Sequence, residues 1–277
     1  MINFFYIRFN SFSSTLEPHY NLPNGLKYTT LDERERFYRE EFNLGAVESW
    51  FPRGLQGIVF AVIIGRHTGI APEEYLNDAK TTILIDEYFD LDDVRRYLVM
   101  FRPESVYYDR NIYEKDGSIR GHEIAFDVDP ENLLSDSELR ERLKRRQGLS
   151  FDMEMFEGVK EKTLELYDWL ESLFHDKRIV YSGRGFHIHI MDDDAYSWSR
   201  TRRTCLARRL RKEGAPIDPW VTTGGSRLIR LPYSLHGMVS RIVLPLGVSE
   251  VKDFNPITDD RCLPKYIKKT GNARIRA

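Results

Sequence analysis

Asp127 and Asp129 close the run His122-Glu123-Ile124-Ala125-Phe126-Asp127-Val128-Asp129. On an extended strand, residues two apart point to the same face. The two carboxylates then share one face, while Phe126 and Val128 turn to the core. Such a pair repels itself unless a cation lies between, and Mg²⁺ or Mn²⁺ suits oxygen ligands. By itself the pair also fits a solvated strand end. The run Tyr181-Ser182-Gly183-Arg184-Gly185-Phe186-His187-Ile188-His189-Ile190 is more specific. Its glycines let backbone approach a ligand, and successive N–H groups can cradle an anion. Ser182, Arg184 and His187 supply hydroxyl, guanidinium and imidazole donors for phosphate oxygens. His189 alternates in phase with His187 and reads as support. A third stretch runs from Ile217 to His236 and includes Asp218-Pro219-Trp220 and Arg227-Leu228-Ile229-Arg230-Leu231-Pro232. Asp218 can complete the carboxylate set, and Arg230 and His236 can reach a triphosphate. Paired carboxylates beside a basic glycine turn are equipment for nucleotidyl transfer.

These groups need strands to hold them. Glu123–Val128, Arg178–Tyr181, Phe186–Ile190, Arg227–Arg230 and Arg241–Leu246 read as strands. So do Ile58–Ile64 and Ser105–Tyr108. The turn signal Lys115-Asp116-Gly117 predicts a hairpin joining Ser105–Tyr108 to Glu123–Val128. Helices are expected over Leu31–Phe42 behind an N-cap at Thr30, from Ala71 with Pro72 in its first turn, and over Leu91–Met100. Glu131–Arg146, Met153–Phe174 and Trp198–Lys212 read as helices too. The chain after Asp253 reads as basic and peripheral. Hairpins mixed with helices predict an α+β fold with a mostly antiparallel sheet.

At 277 residues and a formal net charge of -2, the chain is not globally basic, so any nucleic-acid contact must come from local clustering. One such cluster is the helix holding Arg200, Arg202, Arg203, Arg208, Arg209, Arg211 and Lys212. It would track a phosphate backbone, with Arg203, Arg208 and Arg209 as candidate DNA contacts. A solvated charged face is the competing reading at even weight. Cys205 and Cys262 are far apart, which argues against a disulfide framework and a cysteine zinc site and fits an intracellular, cytoplasmic setting. The longest apolar run, Gly57–Ile64, is too short to span a bilayer.

The three signatures, in this order and spacing, resemble the catalytic small subunit of archaeal and eukaryotic DNA primase, in the archaeo-eukaryotic primase superfamily. Phe126–Asp129 is similar to its D-x-D metal strand, and Tyr181–His187 to its S-G-R-G-x-H nucleotide motif. Ile217–His236 is similar to the stretch carrying a third carboxylate and a basic-x-P-x-S-L-H ending. Arg66-His67 resembles an upstream Arg-His element, and Asp253–Pro256 an F-x-P segment. The resemblance spans roughly residues 31–264. It implies two mostly antiparallel sheets flanked by helices, with the active site between them. It makes 1–30 an N-terminal extension, 31–264 the catalytic domain and 265–277 a basic tail. It implies Asp127, Asp129 and Asp218 as catalytic ligands of two Mg²⁺ or Mn²⁺ ions. It implies Ser182, Arg184, His187, Arg66, Arg230 and His236 around the triphosphate. The implied reaction is primer synthesis from NTPs or dNTPs on single-stranded DNA, beside a separate large subunit and away from any membrane.

The chain also departs from the family. Residues 131–150 contain no cysteine or histidine, so no structural zinc is expected there. Gly224 stands where archaeal members often carry a second aspartate, six residues after the position of Asp218. Tyr233 replaces a common small residue, and Met238 stands near a usual lysine. A gap-filling repair polymerase of the same superfamily would share every site residue. A catalytically degenerate paralogue, serving as a nucleic-acid-binding scaffold, is the non-enzymatic alternative.

Overall fold

The computed structural model describes residues 6–7, 20–144, 149–225 and 227–267. The end of the helix expected over Glu131–Arg146, and Lys268, Lys269, Arg274 and Arg276 of the basic tail, lie outside the described residues. The strands are β1 (Tyr6–Ile7), β2 (Phe60–Ile63), β3 (Thr82–Ile85), β4 (Ser105–Asp109), β5 (Asn111–Tyr113), β6 (Ile119–His122) and β7 (Ile124–Val128). They continue with β8 (Lys177–Tyr181), β9 (Phe186–Ile190), β10 (Leu228–Arg230), β11 (Leu235–His236), β12 (Arg241–Ile242) and β13 (Leu244–Leu246). The helices are α1 (Leu31–Glu40), α2 (Leu44–Trp50), α3 (Leu91–Phe101) and α4 (Asp136–Lys144). After them come α5 (Met153–Leu170), α6 (Arg200–Lys212), α7 (Pro219–Thr222) and α8 (Val248–Val251).

Two antiparallel sheets carry the architecture. One has the order β1-β3-β2-β4-β10 and the other β13-β8-β9-β7. This is the expected α+β arrangement, but one pairing differs from the sequence reading. Ser105–Asp109 and Ile124–Val128 do not form a hairpin with each other. The turn at Gly117 instead closes the small hairpin β5-β6, and the chain crosses from one sheet to the other through it. The local turn signal was correct, whereas the partners of β4 and β7 lie far along the chain. The segment expected to start a helix at Ala71 is a 3₁₀ turn, Glu73–Asp78. The stretch after Asp253 is not wholly peripheral, since Phe254, Cys262 and Tyr266 are buried. Phe254 lies 4.8 Å from the ring of Tyr181.

The first core cluster packs α1–α3 on the first sheet, through Phe37, Trp50, Phe60, Leu98 and Phe101 among others. The second packs α5 and α6 on the second sheet, through Phe126, Phe156, Phe186, Leu206 and Leu210. Between the sheets runs a buried polar bridge. The Tyr108 hydroxyl of β4 donates to the Glu123 carboxylate at 2.9 Å, and His189 Nδ1 of β9 lies 2.7 Å from Glu123 Oε1. Trp50 Nε1 donates to the Tyr108 hydroxyl at 3.2 Å. Paired in this way, the buried carboxylate avoids the penalty of an unsatisfied charge.

A second buried device shapes the turn after β2. Thr30 caps α1 with a reciprocal bond to Glu33, as its sequence position suggests. The fully buried Arg34 of that helix donates to the carbonyls of Ile64 (2.9 Å) and Ile70 (3.0 Å). Glu104, also fully buried, accepts from the Thr68 N–H and hydroxyl at 2.8 Å each, and from the His67 N–H. Backbone groups that would otherwise be unpaired in the interior are thereby satisfied, and the 64–70 turn is fixed.

Candidate active site

The register of the second sheet places Asp127 of β7 directly opposite His187 of β9. His187 Nε2 lies 3.4 Å from Asp127 Oδ1. Asp129 stands just beyond β7, on the same face as Asp127. The turn between β8 and β9 is closed by the Ser182 N–H donating to the Gly185 carbonyl at 2.9 Å. Both of its glycines are demanded by close approach. A Cβ on Gly185 would lie 2.2 Å from the Val128 carbonyl oxygen and 2.5 Å from Asp129 Oδ1. A Cβ on Gly183, which has φ +116°, would lie 2.1 Å from His236 Cδ2. The third stretch is tied in by backbone as well, since the Asp218 N–H donates to the Asp127 carbonyl at 3.1 Å. The fully buried Arg110 holds the same region by donating to the carbonyls of Glu123 (3.0 Å) and Val221 (2.6 Å).

The result is a cavity of about 330 Å³ between the two sheets. Asp127, Asp129, Asp218, Ser182, Arg184, His187, Arg230 and His236 all line it, with His67, Tyr107, Leu149 and Trp220. Arg66 does not line it. Its guanidinium is turned to the Lys80 carbonyl and the Thr82 hydroxyl, both at 3.0 Å, and the neighbouring His67 faces the cavity instead. The Glu104 anchor sets which of the two residues points inward.

Burial, then the charges of Asp129, Asp218 and Glu131, push the Asp127 carboxyl well above the usual carboxylate range. Arg184 partly offsets this. Its Nη2 lies 2.7 Å from Asp129 Oδ2 and its Nη1 2.7 Å from Glu131 Oε1. Burial works against the Arg184 charge, but Asp129 and Glu131 outweigh it and hold its pKa above the ordinary value. Glu131, at the next step of an Asp-x-Asp-x-Glu spacing, was missed in the sequence because it falls in the 3₁₀ turn Pro130–Leu133. Burial first, then His189 and Arg230 at His187 and Arg230 and Arg184 at His236, keep both imidazoles well below the usual range, so both are neutral. The Met238 N–H donates to His236 Nδ1 at 3.3 Å, which leaves the ring proton on Nε2. Arg230 binds the Tyr107 hydroxyl through Nη2 at 3.2 Å, while its Nη1 is buried without a partner.

Among the described residues no three His, Cys, Asp or Glu side chains are already gathered around one metal position. The donor chemistry still fits a hard cation. Asp127 Oδ1 and Asp129 Oδ1 are both buried without a hydrogen-bond donor. Mg²⁺ typically takes one or two carboxylates and keeps several waters. Asp218 is partly committed, because its Oδ1 accepts the Trp220 N–H at 2.8 Å.

Gly224 lies outside the cavity lining. A Cβ there would meet His122 Nε2 at 3.1 Å and Arg203 Nη2 at 3.2 Å, not the carboxylates. Gly224→Asp, at φ +78°, a conformation aspartate tolerates better than most residues, is expected to pair with those two groups. Its affinity for Mn²⁺, measured by calorimetry, should stay within about twofold of wild type; a gain of about tenfold would make position 224 a ligand.

Arg203 differs from its sequence reading. It is only 9% exposed, with Nη1 donating to the Trp198 carbonyl at 2.8 Å. Arg203, Leu206, Ala207 and Leu210 form the buried stripe of α6, at helical spacing. Arg208 and Arg209 are exposed on the opposite face, with Arg209 paired to Glu213 at 3.1 Å.

No family model matches the chain. It is 42% identical to an uncharacterized DNA primase small subunit-like protein of Archaeoglobus fulgidus, across 93% of this chain and 98% of that protein. The DNA primase small subunit of Pyrococcus abyssi is 29% identical, over 66% of this chain and 49% of its own length. That of Pyrobaculum calidifontis is 25% identical, over 68% and 73%. Among solved structures, the polymerase domain of Mycobacterium tuberculosis Ligase D in complex with DNA superposes with a TM-score of 0.51 at 14% identity, covering 87% of both chains. The Archaeoglobus match extends over nearly the whole of both proteins, and the fold agrees with a polymerase domain of this architecture. The chain belongs to the DNA primase small subunit-like proteins of the archaeo-eukaryotic primase superfamily.

Proposed function

We propose that this chain is a nucleotidyltransferase that makes short primers on single-stranded DNA from nucleoside triphosphates. The observation that supports it is the single cavity in which three carboxylates face a wall of arginine, imidazole and hydroxyl donors. Asp127, Asp129 and Asp218 would hold Mg²⁺ or Mn²⁺. When bound, the two ions would activate the attacking hydroxyl and stabilise the leaving pyrophosphate. Around the triphosphate, His236 donates through Nε2, Arg230 through its free Nη1, and Ser182 through its hydroxyl. His187, neutral, would sit between the phosphate wall and the carboxylates, 3.4 Å from Asp127. His67, which lines the cavity, would take the triphosphate contact expected of Arg66.

The template would run along α6, and a separate large subunit would join the chain, as in the family it resembles. Among the described residues no helix is long and apolar enough to cross a membrane. Neutralising Arg208 and Arg209 together should lower the slope of log affinity against log salt by about 1 to 2 for single-stranded DNA. An unchanged slope in a fluorescence-anisotropy titration would reduce α6 to a solvated face.

The deciding experiment is pyrophosphate release and product length on single-stranded DNA with Mn²⁺ or Mg²⁺ and NTPs or dNTPs, without a primer. Metal-dependent oligomers are the expected result. If the protein binds the template yet makes no product, with or without an added primer or large subunit, the catalytic reading is wrong.

A further inference from the structure

Trp220 is 61% exposed, unusual for the largest apolar side chain. The other partly exposed tryptophans are covered by cations, Arg202 over Trp198 at 3.5 Å and Arg209 over Trp169 at 5.0 Å. Trp220 carries neither a stacked ring nor a cation among the described residues. It lies on the lining of the same cavity as Asp127 and Asp129. Its orientation is fixed from below. A Cβ on Gly225 would come within 2.6 Å of Cδ2, 2.7 Å of Cε3 and 2.8 Å of Cε2 of the indole. The ring is therefore seated on a backbone that only glycine leaves bare. Its backbone is fixed too, because the Trp220 N–H donates to Asp218 Oδ1 at 2.8 Å and its carbonyl accepts from the Gly225 N–H at 2.9 Å.

An indole with one face seated on backbone and the other open, two residues from a cavity carboxylate, is a flat platform held at a set distance from the phosphate wall. We infer that Trp220 is the stacking surface for the nucleobase of the nucleotide bound in this cavity. The inference rests on the reading of the cavity as a triphosphate site and adds a subsite for the base. A π-face accepts any base, so the platform adds affinity without choosing among A, C, G and T or U.

Calorimetric titration of the full chain with ATP and with inorganic tripolyphosphate, both in Mg²⁺, separates the two subsites. Wild type should bind ATP more tightly than tripolyphosphate. Trp220→Ala should weaken ATP by about 5- to 150-fold, the range of one stacked base, and leave tripolyphosphate unchanged. Trp220→Phe should retain most of the ATP affinity. Gly225→Ala, which pushes the indole off its seat while keeping it, should weaken ATP alone. If Trp220→Ala weakens both ligands equally, or neither, the base subsite is wrong while the triphosphate site stands. If wild type binds ATP and tripolyphosphate equally, the subsite is wrong as well. If wild type binds neither, the triphosphate reading falls and takes the subsite with it.

Discussion

Asp127→Asn is expected to abolish nucleotidyl transfer and to make the metal-free protein more stable. The side chain is 21% exposed and shares its surroundings with Asp129, Asp218 and Glu131. Asparagine keeps the shape and removes one charge from that cluster. Loss of a metal-binding carboxylate forfeits several kcal/mol of transition-state stabilisation, so turnover should fall by at least about 10³-fold. The stability effect has a definite pH signature. The folded pKa of Asp127 is raised, so the fold favours the protonated form. Wild-type stability therefore drops as pH rises from the unfolded carboxyl value, about 4, through the raised folded value. The asparagine variant lacks that drop. In EDTA the variant should melt higher than wild type at neutral pH, and the gap should close on acidification. Mn²⁺ should raise the wild-type melting temperature at neutral pH and leave the variant nearly unmoved. Retained turnover, or equal metal stabilisation of both proteins, would remove Asp127 from the ligand set.

Arg184→Ala carries the second large effect, and its first consequence is structural. Arg184 is the counter-ion of two carboxylates, Asp129 and Glu131, each at 2.7 Å. Truncating it leaves a buried acidic cluster without its cation, a change that costs about 3 kcal/mol or more. Urea denaturation of the metal-free variant should show this loss, with Mn²⁺ restoring part of it. Arg184→Lys keeps the charge but cannot bridge both carboxylates with one planar fork, so it should recover only part. In assays at saturating metal, Arg184→Ala should raise the KM for nucleotide more than it weakens template binding. Equal losses in both would make Arg184 a carboxylate bridge only.

Much of this was legible in the chain. The strands of the second sheet, the Thr30 cap and the three clustered motifs follow from period, turn chemistry and residue type. The pairing of β7 with β9 was not, because its partners are separated by two helices and a strand, and local turn signals see only neighbours. Arg66 was expected at the triphosphate by resemblance alone, and no local signal in the chain put His67 there instead. The buried Glu104 behind them decides which one faces the cavity. Arg203 sits in a run of cations that suggests a charged surface, but helical spacing puts that one arginine on the packed stripe. No role for Glu131 or Trp220 was legible, because neither belongs to a strand motif. Their significance comes from what the turn and the glycine seat place beside them.

The bridge from Tyr108 through Glu123 to His189 has a consequence for how a substrate would be admitted. It ties one sheet to the other, with Glu123 accepting from the Tyr108 hydroxyl and lying 2.7 Å from His189 Nδ1. Hydrogen bonds that join the two sheets at their common face oppose a jaw-like swing. The gap between them would then act as a mould, with the turns at its rim doing the adjusting. A mould rejects an oversized guest by overlap at the moment of entry rather than by failing to shut afterwards. Its discrimination would then register in how tightly competing nucleotides dock, and very little in how fast a docked one goes on to react.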